Sequence, residues 1–139
     1  MGRHVSGCKW SSGVGLLAVA MALAGCNGGT VDRHALTNDA ATLDSINCEA
    51  WLVSRAVARD RLTVYFTREQ AEELALQAAN FADALQHRSA APGLEQRVRA
   101  RGRDASVLAS RLWRLHASPA DRDGAQQLSD AFKRAGHCS

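Results

Sequence analysis

Cysteine has the widest chemical range of any residue type in this chain, which has four: Cys8, Cys26, Cys48 and Cys138. A thiol can pair as a disulfide, ligate a metal, attack an electrophile or carry an acyl group. Spacing removes some of these options. There is no C-x-x-C pair, and among the histidines beyond the first 25 residues, His34, His87, His116 and His137, none stands four residues from another, so the short-range ligand spacings of a zinc site are missing there. No G-x-S-x-G elbow is present to carry a serine nucleophile. The expectation is a protein with no metal and no cofactor that is not an enzyme. A hydrolase is the remote alternative.

The first 25 residues decide how Cys26 is read. Arg3 and Lys9 give them positive charge with no acidic residue to offset it, and Val14–Ala24 (VGLLAVAMALA) is almost wholly apolar. A basic start, an apolar stretch of about 7–15 residues and small residues after it make a signal peptide. The stretch falls short of the about 20 residues that span a bilayer. It also lacks the polar face with which a helix of a folded domain would meet water.

Leu23-Ala24-Gly25-Cys26 resembles the lipobox of bacterial lipoproteins. The resemblance covers the leader and Cys26 alone. It implies that the leader is cut between Gly25 and Cys26, that Cys26 is lipidated, and that lipid holds the protein at the extracytoplasmic face of a membrane. That is the outer membrane if the source is Gram-negative, because Asn27 is not the aspartate linked with inner-membrane retention. No twin-arginine signal is present, which points to Sec-type export. Two or more acyl chains give stable attachment, at about 0.8 kcal/mol per buried methylene, so no transmembrane helix is needed. The alternative is ordinary cleavage at Ala22-Leu23-Ala24, which would release a soluble protein. Cysteine parity favours the lipoprotein: Cys8 leaves with the leader either way, ordinary cleavage leaves an odd number of thiols, and lipidation of Cys26 leaves Cys48 and Cys138 to pair.

Loss of Arg3 and Lys9 lowers the formal net charge from +3 to about +1, too little to indicate nucleic acid as a partner. Met1 and Met21 also leave, which excludes methionine-ligated haem or copper. Residues 26–38 then read as the lipidated cysteine and a polar, glycine-bearing flexible tether with a reach of roughly 15–20 Å. Residues 39–139 read as one all-α domain, an antiparallel four-helix bundle, because Ala, Leu, Arg, Glu and Gln dominate and turn residues are few.

The first helix is expected from about Ala40 to Asp60, capped by Asp39. Its stripe is Leu43, Ile46, Ala50, Val53 and Val57, and it is apolar on several sides around Trp51, hence the most enclosed of the four. Arg61–Phe66 (RLTVYF) reads as a connection. Thr67-Arg68-Glu69-Gln70 matches a capping box that opens the second helix, with Ala71, Leu74, Ala78, Phe81 and Leu85 as its stripe. The third helix is expected from Leu94 to Ala117 on Val98, Ala105, Leu108, Leu112 and Leu115, with Gly102 as a point of bending. Ser118-Pro119 reads as the cap and first residue of the fourth, striped by Leu128, Ala131, Phe132 and Ala135 and ended by Gly136.

These elements position the remaining candidates. In an up-down-up-down bundle the end of the fourth helix lies beside the start of the first, so a Cys48–Cys138 disulfide is expected, closing a loop of about 90 residues. Arg97, Arg99, Arg101 and Arg103 are split by a helix onto nearly opposite sides at about 100° per residue; a solvated surface is expected over contact with anionic lipid. Arg101 falls on the apolar stripe, its head reaching water or Asp104. Asp121-Arg122-Asp123-Gly124 has the first residues of a calcium loop without its later ligands, and suits a first helical turn instead. Trp51 and Trp113 each lie about 110–120° from their helix's main stripe. They seal the flank of the bundle or anchor a partner or apolar ligand. The function expected is binding or scaffolding at the cell envelope, with an envelope protein as partner. The alternative is a carrier of a small apolar ligand between the helices.

Overall fold

Helix ends in this chain are set by side chains that satisfy free backbone groups. The structure, a computed structural model, describes residues 30–139. It has four helices: α1 (Arg33–Ala58), α2 (Val64–Gln86), α3 (Glu95–Ala117) and α4 (Arg122–Gly136). The all-α antiparallel four-helix bundle is the observed fold, and the expected order of helices is the observed one.

Three starts differ from expectation. The Asp32 carboxylate caps α1 by accepting from the Ala35 N–H (2.8 Å), so the helix begins well before Ala40. Nothing in Arg33–Asp39 breaks a helix, and Leu36 extends the buried stripe one heptad below Leu43. The expected tether over residues 26–38 is therefore corrected for residues 31–38. Val31 is fully buried, donates its N–H to the Ser89 carbonyl (2.7 Å) and accepts from the Ala91 N–H (3.0 Å). Residues 26–29 lie outside the described part.

The cap of α2 is Thr63, whose hydroxyl accepts from the Phe66 N–H (3.2 Å), and the capping box at Thr67 does not form. Thr67 is fully buried and donates its hydroxyl to the Thr63 carbonyl (2.9 Å). Starting one turn earlier adds backbone bonds such as Thr67 N–H to Thr63 O (3.0 Å). Likewise Ser118 closes α3, its N–H donating to Arg114 O (3.1 Å), and turns through Pro119 to Asp121. Asp121, not Ser118, caps α4, accepting from the Gly124 N–H (2.9 Å). A carboxylate is the stronger partner for the positive end of a helix.

Two ends are Schellman turns without glycine at the left-handed position. After α1, Asp60 has φ 56°, and the N–H groups of Asp60 and Arg61 reach back to Val57 O and Ala56 O (both 2.9 Å). After α4, His137 has φ 53° and the Cys138 N–H returns to Lys133 O (3.2 Å). Gly136, expected to end α4 by its backbone freedom, stands one residue before that position.

The tightest pairs are α2 with α3 and α1 with α4. The main core draws on all four helices around Leu43, Leu74, Leu108, Leu112, Leu115 and Phe132. Small residues outside the expected stripes complete it, namely Ala75, Ala82, Ala109 and Ala125, whereas Val53, Phe81 and Ala131 are only half-buried and Ala135 is exposed. The helix α1 is not the most enclosed: α1, α2 and α3 each bury seven residues, and Leu52 on α1 is exposed. The helix α3 continues through Gly102, where an added Cβ would meet Leu85 only at ordinary contact distance.

A second, smaller core consists of Val31, Leu36, Leu85 and Val98, with no residue of α4. Helix α4 has 15 residues against 26 in α1, about 22 Å against 39 Å, so it stops halfway along its neighbour. The end of the bundle beyond it is three-helical. An Arg88–Asp39 ion pair (3.3 Å) joins α1 to the chain just after α2 there.

Candidate functional site

The cysteines divide along the described boundary. Gly25 and Cys26, the expected cleavage and lipidation site, lie outside the described residues. Cys48 and Cys138 form a disulfide with Cα atoms 5.5 Å apart, as expected. Its place on α1 is not the expected one: because α1 begins at Arg33 and α4 is short, Cys48 lies beyond the middle of α1, opposite the end of α4. Gly136 makes the approach possible. A Cβ there would stand 2.7 Å from Asn47 Cβ, 2.9 Å from the Asp44 carbonyl and 2.9 Å from Cys138 Sγ.

One turn after Cys48, Trp51 is half-buried against the main core. The Arg55 guanidinium lies 5.2 Å and the Lys133 ammonium 5.5 Å from its ring centroid, close enough for cation–π attraction. The Lys133 contact ties α1 to α4, and the two cations cover the ring. Trp113 is different. It is 39% exposed, meets His116 edge-on (centroids 5.3 Å apart, interplanar angle 81°) and borders an open groove between α2 and α3. The groove, about 720 Å³, is lined by Ala79, Ala82, Ala109 and Ser110 with Asp83 and Arg114. A second open hollow, about 510 Å³, lies between α3 and α4. Both are clefts of the surface, whereas a carrier encloses most of its ligand.

The described histidines do not converge. His34 lies near Asn38 (3.4 Å), His87 near Asp83 (3.7 Å) and His137 near Asp44 (3.9 Å). His116 Nδ1 lies 3.3 Å from the Arg68 carbonyl and 4.0 Å from Glu72. Among the described residues no three His, Cys, Asp or Glu side chains are grouped to hold a metal. Asp121 caps α4 and Asp123 stands in its first turn. Arg97, Arg99 and Arg103 are exposed, and half-buried Arg101 has its guanidinium 3.9 Å from Asp104.

One surface feature escaped the sequence-based expectations. Val64, Tyr65 and Phe66 are helical and exposed, Tyr65 by 74%, in the first turn of α2. Three consecutive bulky apolar residues between Arg61 and Arg68 are the signal for it, since a buried helical turn cannot point all three inward.

None of the described helices is long and apolar enough to cross a membrane. Neither protein families, characterised proteins nor solved structures provide a match to this chain.

Proposed function

We propose that this chain is a lipid-anchored, extracytoplasmic helical-bundle protein that acts by binding or scaffolding at the cell envelope. The observation that carries the reading is the Cys48–Cys138 bond. Such bonds persist in oxidising compartments, in keeping with the export leader. The bond also uses both cysteines that follow the lipobox, so once Cys8 leaves with the leader Cys26 is the single one left for the lipid. Trp113, exposed beside the groove between α2 and α3, is the anchor offered to an envelope protein. The openness of that groove favours a protein partner over an enclosed small ligand.

Replacing Cys26 by alanine is expected to release the protein from membranes or stop leader removal, and to abolish metabolic acyl labelling. Equal labelling of wild type and Cys26→Ala would sink the anchor. For the binding role, affinity capture from solubilised membranes is compared between wild type and Trp113→Ala. A partner held through the groove is recovered in lower yield with the variant, and an unchanged profile rejects the groove.

A further inference from the structure

The chain between Cys26 and the folded domain is too short to leave the orientation of the bundle free. This inference rests on Cys26 being the lipidated residue. Val31 is fully buried and bridged on both sides to the connection between α2 and α3, through Ser89 and Ala91. The described chain therefore begins at Thr30, beside that connection. Asn27, Gly28, Gly29 and Thr30 are all that separates Val31 from Cys26. Five residue steps reach at most about 18 Å, less than half of the about 39 Å over which α1 runs to the opposite end.

We infer that the three-helix end of the bundle, made by the start of α1 and the α2–α3 connection, rests on the anchoring bilayer, with Arg33 and Arg97 meeting the phosphates of anionic lipid. Arg33 opens α1 and Arg97 stands in the first turn of α3. Both are exposed, and neither takes part in an ion pair among the described residues. The other charges of this end are mostly engaged. Arg88 is paired with Asp39, His87 lies near Asp83 and the Asp32 carboxylate caps α1; Glu95 is exposed. The apex of the connection, Pro92-Gly93, is exposed and uncharged, so it offers no repulsion to a headgroup layer. Each arginine near an anionic surface contributes about fivefold in partition. That is small beside the acyl chains, and enough to hold one face down once the chains are inserted.

The test uses the full chain, reconstituted in phosphatidylethanolamine–phosphatidylglycerol vesicles containing a lipid with a quencher on its headgroup. One variant carries a fluorophore at Ser89→Cys in the α2–α3 connection, another at Ala120→Cys at the opposite end, each with the Cys48–Cys138 bond verified by mass. Ser89 is expected to be quenched severalfold more than Ala120. Arg33→Glu with Arg97→Glu should reduce quenching at position 89, and Arg33→Gln with Arg97→Gln should reduce it less. Equal quenching at both ends, on protein that is acylated and vesicle-bound, overturns the orientation. Quenching at position 89 that ignores both arginine pairs overturns their lipid contact. A Cys26 without acyl mass removes the anchor itself, an outcome distinct from acylated protein that lies in no fixed orientation.

Discussion

Gly136 and His137 divide between them two duties that one glycine commonly performs at a helix end. Gly136 is needed for space: its hydrogen faces Asn47 and the Asp44 carbonyl on α1, and backbone cannot yield as a flexible side chain does. His137 takes the left-handed conformation, at a cost a glycine would not bear, and its ion-pair distance among the described residues is 3.9 Å, to Asp44, from an 82% exposed ring. The two substitutions should therefore act in opposite directions. Gly136→Ala is expected to lower stability by about 1–3 kcal/mol through overpacking. His137→Gly is expected to raise it by about 0.5–1 kcal/mol through relief of the backbone. Urea unfolding of both against wild type reads the signs, and a neutral Gly136→Ala would mean that α1 and α4 approach less closely than described.

At the scale of the element, α2 shows how a helix start is chosen between two equivalent signals. Thr63 and Thr67 both carry a capping hydroxyl, and Thr67 also has Gln70 at the capping-box position. The earlier threonine prevails because it adds a turn of backbone bonds and lets Thr67 be fully buried with its hydroxyl satisfied by Thr63 O. The price is an exposed Val64-Tyr65-Phe66 turn. Thr63→Ala should cost about 1 kcal/mol, the typical worth of a cap. Gln70→Ala should change stability by less than about 0.5 kcal/mol, as for an ordinary surface site. Thermal unfolding followed by circular dichroism separates the two, and the reverse ranking would place the start at Thr67.

Across the whole molecule, the disulfide and the short α4 belong to one arrangement. The bond joins residues 90 apart and pins the end of α4 at the middle of α1, so nearly the whole chain from the middle of α1 onward is closed into one loop. Residues 30–47 lie outside that loop and are held by the Val31 bridge, the small core and the Arg88–Asp39 pair. In the chain-entropy account, reduction should lower stability by up to about 4–5 kcal/mol, a large share for a domain of this size. Urea unfolding with and without dithiothreitol measures the loss. A midpoint that ignores the reductant would show that the packed helices alone hold the bundle together.

The sequence by itself determined the class and order of the elements. Stripes such as Leu108, Leu112 and Leu115, with both prolines, Pro92 and Pro119, in the connections, leave little choice but amphipathic helices. The pairing of Cys48 with Cys138 was also legible from cysteine parity and from a fourth helix that runs back alongside the first, although α4 meets α1 near its middle and not at its start. Tertiary structure alone decided the boundaries and the geometry of the ends. Val31 reads as tether because its two backbone partners, Ser89 and Ala91, are far away in sequence, and no local pattern announces them. The contrast between covered Trp51 and exposed Trp113 depends in the same way on Lys133, brought from α4, and on the groove that only the packing of α2 against α3 creates. Periodicity says which face of a helix is apolar. Which neighbour covers that face, and how far along, depends on helix lengths and close approaches, and here those follow from a fifteen-residue α4 seated on a glycine.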